Sequence, residues 1–170
     1  SDYLYIDIER PINGENQVKP KAILSGSFDP IHTGHKSLLK AARGFLKKEV
    51  VFELSIANVD KPDLSIQETS MRVNQMFGKW PVIVTRADTF NKKAKLFPGS
   101  VFVVGYDTAL RIVNPKYYDN SVDNMINQLT EIKQLKCSFV IASRCIDGSL
   151  LTLKDLKLPK LFTDIFHELP

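Results

Sequence analysis

From Lys21 onward the chain predicts an α/β fold, a doubly wound parallel sheet of five to six strands with helices on both faces. Three observations carry that reading: four-residue runs apolar at every position, amphipathic stretches between them, and turn or cap residues at the joins. A strand buried on both faces reads as a continuous apolar run, and strands that alternate with helices pair in parallel through right-handed crossovers.

The elements follow in order. Ala22-Ile23-Leu24-Ser25 is the first strand. Residues 35–48 are a helix with Leu38, Leu39, Ala42, Phe45 and Leu46 on one face and Lys36, Lys40, Arg43 and Lys47 on the other. Residues 50–56 are the second strand. Ser65-Ile66-Gln67-Glu68 has the form of a capping box, opening a helix that runs through Met71, Val73, Met76 and Phe77 and stops at Gly78. Residues 81–85 are the third strand, and 90–97 a short helix closed by Pro98-Gly99. Val101-Phe102-Val103-Val104 is the fourth strand. Val122, Met125, Ile126, Leu129 and Ile132 form a helical stripe, Phe139-Val140-Ile141-Ala142 is the fifth strand, and residues 165–169 are a candidate sixth. Residues 1–20 read as an arm or linker. Within it Tyr3 to Ile8 alternates like a short strand until Pro11 and Asn13-Gly14 break it, so it could also add an edge strand.

Composition narrows the function. With 170 residues, 44% hydrophobic and 25% charged, the chain fits one domain with a single core. Its net charge of +4 is mild, and the densest basic cluster, Lys92, Lys93 and Lys95, lacks interleaved aromatics. The expectation is therefore no nucleic acid partner and a small polyanion instead. No apolar run reaches the ~20 residues of a membrane span, and no secretory signal is visible. The two cysteines, Cys137 and Cys145, bracket a strand too long for a bridge, so free thiols and a cytoplasmic location are expected. Their spacing suits no zinc site, and no protein-bound metal is expected.

Doubly wound sheets bind ligands outside the carboxyl ends of their strands. The first such loop is the most informative. In Gly26-Ser27-Phe28-Asp29-Pro30-Ile31-His32-Thr33-Gly34-His35, Gly26 allows close backbone approach and Pro30 stiffens the turn. Gly34 keeps the first helical turn open at the positive end of the dipole. His32 and His35, three apart, can face the same way there and donate to phosphate oxygens.

This decapeptide resembles the signature of the His-x-Gly-His nucleotidylyltransferase superfamily, which includes nicotinamide and nicotinate mononucleotide adenylyltransferases, phosphopantetheine adenylyltransferases and small cytidylyltransferases. The resemblance implies a Rossmann-like fold, catalytic roles for His32 and His35, and nucleotide contacts from Gly26, Ser27, Phe28, Asp29 and Gly34. The stretch from Phe97 through Val104-Gly105-Tyr106-Asp107 is similar to the Gly-x-Asp segment of the mononucleotide adenylyltransferases, which gives Gly105 and Asp107 a place against the nucleotide ribose. Asp107 also suits a helix N-cap ahead of residues 108–113. Ala142-Ser143-Arg144 resembles the Ser-Arg end of the family's fifth strand, with Arg144 near the nucleotide or in a surface ion pair. Asn58, Lys61 and Arg72 fall where the acceptor meets the protein.

The whole-chain likeness, from about residue 20 to the end, is to a domain of plants and protists sometimes joined to a CinA-like module, and a further domain would make the arm a linker. The superfamily's second signature, Ile-Ser-Ser-Thr-x-x-Arg, has no counterpart in these residues. The expectation is that the domain over 21–170 ends before it, which leaves the activity of these 170 residues open.

The activity implied is adenylyl transfer from ATP to a phosphorylated acceptor such as nicotinamide mononucleotide, with pyrophosphate released and Mg2+ carried on the nucleotide phosphates. Two alternatives stand beside it: cytidylyl transfer from CTP to a phosphorylated alcohol, and a non-catalytic nucleotide-binding module.

Overall fold

The computed structural model describes residues 3–7, 19–58 and 61–170. Its main sheet has seven strands: β1 (Tyr3–Ile6), β2 (Ala22–Ser25), β3 (Val50–Ser55), β4 (Val82–Thr85), β5 (Val101–Gly105), β6 (Ser138–Ala142) and β9 (Phe166–Glu168). They lie in the order β1-β4-β3-β2-β5-β6-β9. All pairs are parallel except β1 with β4, which run antiparallel from Tyr3 opposite Thr85 to Ile6 opposite Val82. The foreseen six strands are all present. The seventh is the arm, whose residues 3–6 cap the β4 edge. The break expected at Pro11 and Asn13-Gly14 lies outside the described residues.

Leaving out β1, the chain order of the parallel strands across the sheet is third, second, first, fourth, fifth, sixth. The order reverses between β2 and β5, and that switch point is where such sheets open a crevice.

Side chains alternate across each strand, which sorts the core into two layers. On one face Ala22, Leu24, Phe52, Leu54, Val82 and Val103 pack with Leu39 and Ala42 of α1 (Thr33–Leu46) and Val73 of α2 (Ile66–Asn74). On the other, Ile23, Val51, Ile83, Phe102 and Ile141 pack with residues of α3 (Phe90–Leu96), α4 (Tyr106–Ile112) and α5 (Val122–Gln134). Phe139 joins this second layer to the last strand. Its ring stacks on Phe166 at 4.9 Å and meets Phe90 edge-on at 5.4 Å. Of the tyrosine pair after Pro115, Tyr118 turns inward and donates its hydroxyl to the Ile112 carbonyl at 2.7 Å, while Tyr117 stays exposed. Burial pushes the Tyr118 hydroxyl up to about 12.

Several boundaries move for identifiable reasons. The first helix begins at Thr33 rather than His35 because His32 itself is the cap. Ser65 caps α2 by accepting from the Glu68 N–H at 3.0 Å, but the Glu68 carboxylate turns to Arg72 instead of completing a box. That helix ends at Asn74, before the foreseen Gly78. The N-cap reading of Asp107 is overturned: Gly105 caps α4, which puts Asp107 inside the first turn. A hairpin of β7 (Arg144–Ile146) and β8 (Ser149–Leu151) was not foreseen. Asp147 and Gly148 both adopt positive φ at its tip, the geometry that Asp-Gly turns favour between twisted strands.

Truncating the central aromatic tests this packing. Phe139→Ala should lower folding stability by about 3–5 kcal/mol, measured as a fall in the urea midpoint at unchanged m-value.

Candidate active site

The turn between β2 and α1 is built around two left-over needs of a helix start. Its first N–H groups have no partner within the helix. Here imidazoles supply them. His32 Nδ1 accepts the Gly34 N–H at 3.1 Å, and His35 Nδ1 accepts the His32 N–H, also at 3.1 Å. The two residues form a capping box made of histidines, and their rings stack at 3.7 Å, 21° apart.

This pattern fixes the chemistry of both rings. A nitrogen that accepts a hydrogen bond carries no proton, so each neutral ring holds its proton on Nε2. The Nε2–H groups are the donors left for a ligand, beside the positive end of α1. Burial, then the neighbouring His32, pushes His35 below the usual histidine range. A proton on its Nδ1 would also displace the bond from the His32 amide.

The glycines leave room for this arrangement. A Cβ on Gly34 would lie 2.9 Å from His32 Cε1, and one on Gly26 would lie 2.9 Å from the Phe28 ring. Phe28 itself is buried, packed edge-on against Phe52 at 4.9 Å and His35 at 5.0 Å. Its side chain is thus a wedge beneath the second histidine. Only the backbone of Phe28 can reach a nucleotide.

From α2, a polar stripe grips the same turn. Arg72 pairs with Glu68 at 2.9 Å, donates to the Ser27 carbonyl at 3.1 Å, and reaches the exposed Asp29 carboxylate at 3.4 Å. Gln75 uses both ends of its amide: it accepts the Ile31 N–H at 2.7 Å and donates to the Phe28 carbonyl at 2.7 Å. The peptide between Asp29 and Pro30, which this grip encloses, is cis. Gln75 was missed in the sequence, although positions 68, 72 and 75 share one helical face.

Across the switch point, Asp107 and Arg144 pair with each other through Oδ2 and Nη1. Both side chains are about half exposed, and such pairs contribute roughly 0–1 kcal/mol. A ligand can therefore open this one at little cost. A Cβ on Gly105 would meet nothing within 4 Å, so the chain is open to close approach there. Asn58 and Lys61 lie exposed in the loop after β3, at the same edge of the sheet. A cavity of about 470 Å³ lined by Tyr3, Ile56, Thr85, Arg86 and Lys92 includes neither the histidines nor Asn58 and Lys61.

Among the described residues, no three or more His, Cys, Asp or Glu gather to hold a metal ion. No described helix is long and apolar enough to cross a membrane. Cys137 is buried and Cys145 exposed, and both are free.

Two outcomes follow from the double cap. Gly34→Ala should displace the His32 ring and lose its cap, about 1 kcal/mol, seen as a ~2–4 °C fall in Tm. The lowered His35 value has a definite sign. Between it and the unfolded value of ~6.5, the unfolded chain binds more protons, so stability rises with pH. The contribution of neutral His35 is complete above that range and lost as pH falls through the folded value. His35→Gln should therefore lose less stability than the parent between pH 7.5 and 5.5 in matched urea titrations.

Comparison with known proteins gives the chain a family. Residues 23–146 match the family model described as cytidylyltransferase-like. The chain is 25% identical over 169 residues to a Schizosaccharomyces pombe protein named as a nicotinamide mononucleotide adenylyltransferase, covering 89% of this chain and 64% of that protein. It is 38% identical over 61 residues to the phosphopantetheine adenylyltransferase of Nitrosospira multiformis, 36% of each. The chain thus spans less than two thirds of either relative. The family match takes in most of the chain, the histidine turn and both switch-point loops, and the chain belongs to the cytidylyltransferase-like family.

Proposed function

We propose that this site transfers an adenylyl group from ATP to a phosphorylated acceptor such as nicotinamide mononucleotide. The observation that carries the reading is the stacked His32–His35 pair, with both Nδ1 atoms engaged and both Nε2–H groups left to donate. An acceptor phosphate oxygen attacks the α-phosphorus in line, a new P–O bond forms, and the bond to the pyrophosphate oxygen breaks. The reaction needs no nucleophilic side chain. Positioning and charge stabilisation do most of the work in transfers of this kind.

In this reading His32 and His35 donate to the polyphosphate oxygens as negative charge shifts toward the leaving group. Gly26, Ser27, Asp29 and Gly34 frame the triphosphate through backbone and short side chains. Gly105 admits the ribose, and Asp107 turns from Arg144 to accept its hydroxyls, which frees Arg144 for phosphate. Lys61 and Asn58 serve the acceptor phosphate from the neighbouring loop, with Arg72 holding the turn between the two substrates. Mg2+ would come with the nucleotide and would neutralise charge on its phosphates, with no protein ligand required. The two free thiols fit a cytoplasmic setting.

Cytidylyl transfer from CTP is the second reading, favoured by the family's description. Both relatives carry the name of an adenylyltransferase, which favours ATP. A thermal-shift titration separates the two, since a ligand at 100 times its Kd adds about 2.7 kcal/mol. ATP should raise Tm, and CTP at equal concentration should raise it less.

Pyrophosphate release from ATP and nicotinamide mononucleotide tests the chemistry. His32→Ala should lower kcat by about 10²-fold or more. His32→Asn keeps a capping oxygen, so it should fold like the parent and yet lose a similar factor. Unchanged turnover in both variants would remove the histidine from the mechanism.

A further inference from the structure

One polar cluster lies apart from the histidine turn and has no part in the chemistry above. Glu53, in the middle of β3, has no exposed surface. Its side chain falls on the same sheet face as Val51, Ile23 and Ile83, where every other inward position nearby is apolar until the strand ends. Lys93, from α3, reaches in to place its ammonium 2.5 Å from Glu53 Oε1 and is itself nearly buried. Ser25 donates its hydroxyl to the same oxygen at 2.5 Å, and Thr85 donates to Oε2 at 2.7 Å. The ammonium also lies 3.4 Å from Ser25 Oγ and 5.3 Å from the Phe90 ring centre.

Stability is weak ground for such a group. Removing two charges from water costs more than a modest pair returns, and apolar replacements of similar volume are often neutral or stabilising. The position of the cluster is more informative. Ser25 and Thr85 are the last residues of β2 and β4. Immediately after Ser25, the Gly26 N–H donates to the Glu53 carbonyl at 3.1 Å, at the root of the histidine turn. Beyond Thr85, its hydroxyl accepts the Ala87 N–H at 3.2 Å, at the root of the loop between β4 and α3. A single carboxylate thus ties down the last residues of two strands, at the roots of two loops, while Lys93 fixes the carboxylate from the helix that the second loop enters.

We propose that Glu53 and Lys93 are a positioning pair that holds the histidine turn in register with the β4–α3 loop. The inference rests on the adenylyl-transfer reading, with the histidine turn on the donor side and the β4–α3 loop next to the acceptor loop that follows β3. In-line attack requires the two substrates to be placed within fractions of an ångström, and a shift of about 1 Å can cost ~10²-fold in rate. Neither residue touches a reacting atom. Their effect passes through Ser25 and Thr85.

The test compares two double variants that both remove the buried charges. E53L/K93M also removes the acceptors for Ser25 and Thr85. E53Q/K93M keeps an amide in place of the carboxylate, able to accept from Ser25, with Thr85 turned to accept from it. Fold is checked by urea midpoint, ATP affinity by calorimetry, and turnover by pyrophosphate release with nicotinamide mononucleotide. The expected result is a folded E53L/K93M with ATP Kd within about threefold of the parent and kcat lower by ~10- to 100-fold. E53Q/K93M should recover most of that kcat. Parent-like kcat in E53L/K93M, or equal losses in both variants, overturns the proposal.

If E53L/K93M does not fold, S25A/T85V takes its place, since it cuts both ties and leaves the ion pair intact. Its kcat should fall by about tenfold at unchanged ATP affinity, and parent-like turnover overturns the proposal equally. If the parent releases no pyrophosphate, the adenylyl-transfer reading fails by itself. Positioning is then read from amide hydrogen exchange. Gly26 and Ala87 should exchange at least about tenfold faster in E53L/K93M than in E53Q/K93M, and equal rates overturn it.

Discussion

The rest of the site depends on a reciprocal bond between two imidazoles and the backbone of one helical turn. His32 and His35 occupy the places that a Ser and a Glu would take in an ordinary capping box. Either set of side chains would satisfy the free N–H groups of the helix start. Only imidazoles do so with one nitrogen and keep a second, oriented donor on the far side of the ring. Structure and chemistry are therefore inseparable at these residues: the bond that caps the helix is the bond that selects the tautomer. The glycines follow from the same constraint. With Gly34 and Gly26 built up to alanine, the rings of His32 and Phe28 would have to shift from where they lie.

The turn is supported from two sides. A loop that must leave its histidine donors open to a ligand can be held only from the sheet side and from the flank. Phe28 wedges it from below against Phe52, and Arg72 with Gln75 grips it from α2. The other half of the crevice is built differently. Asp107 and Arg144 stand half exposed and neutralise each other on the far side of the switch point. Under the proposed reading a weak surface pair there and a firm cap opposite make sense together, with the ribose side rearranging to admit a nucleotide and the phosphate side held in place.

Most of this framework was legible in the sequence, for a physical reason. Strand and helix periodicities are local, so the six parallel strands could be read from runs such as Val101-Phe102-Val103-Val104. The histidine turn was legible because its ten residues are contiguous and sit between a strand and a helix. What escaped was non-local. Glu53 meets Ser25, Thr85 and Lys93 over separations of 28, 32 and 40 residues, and no periodicity marks a charge that will be buried by a distant lysine. Arg144 and Asp107 were each named for a nucleotide, but their mutual contact spans 37 residues and belongs to the sheet order. The β7–β8 hairpin is a different kind of miss. Asp147-Gly148 is a local signal, and it was overlooked between residues already assigned to a strand end.

The buried Glu53–Lys93 pair and the exposed Asp107–Arg144 pair show how burial sorts charges in a doubly wound sheet. Both lie at the carboxyl edge, where strands end and loops begin. On the outer side water screens the charges, so the partners can exchange for a ligand. Beneath the loops a charge without its partner would cost several kcal/mol, so the partners cannot separate without disturbing the fold. The same chemistry thus yields a movable contact in one place and a fixed one in the other. The inner pair bears on the strand ends β2 and β4, the outer on β5 and β6. The rigid ties therefore fall on the histidine side of the switch point and the exchangeable one on the other, which is the division that a site must have if it is to admit a nucleotide without loosening its phosphate grip.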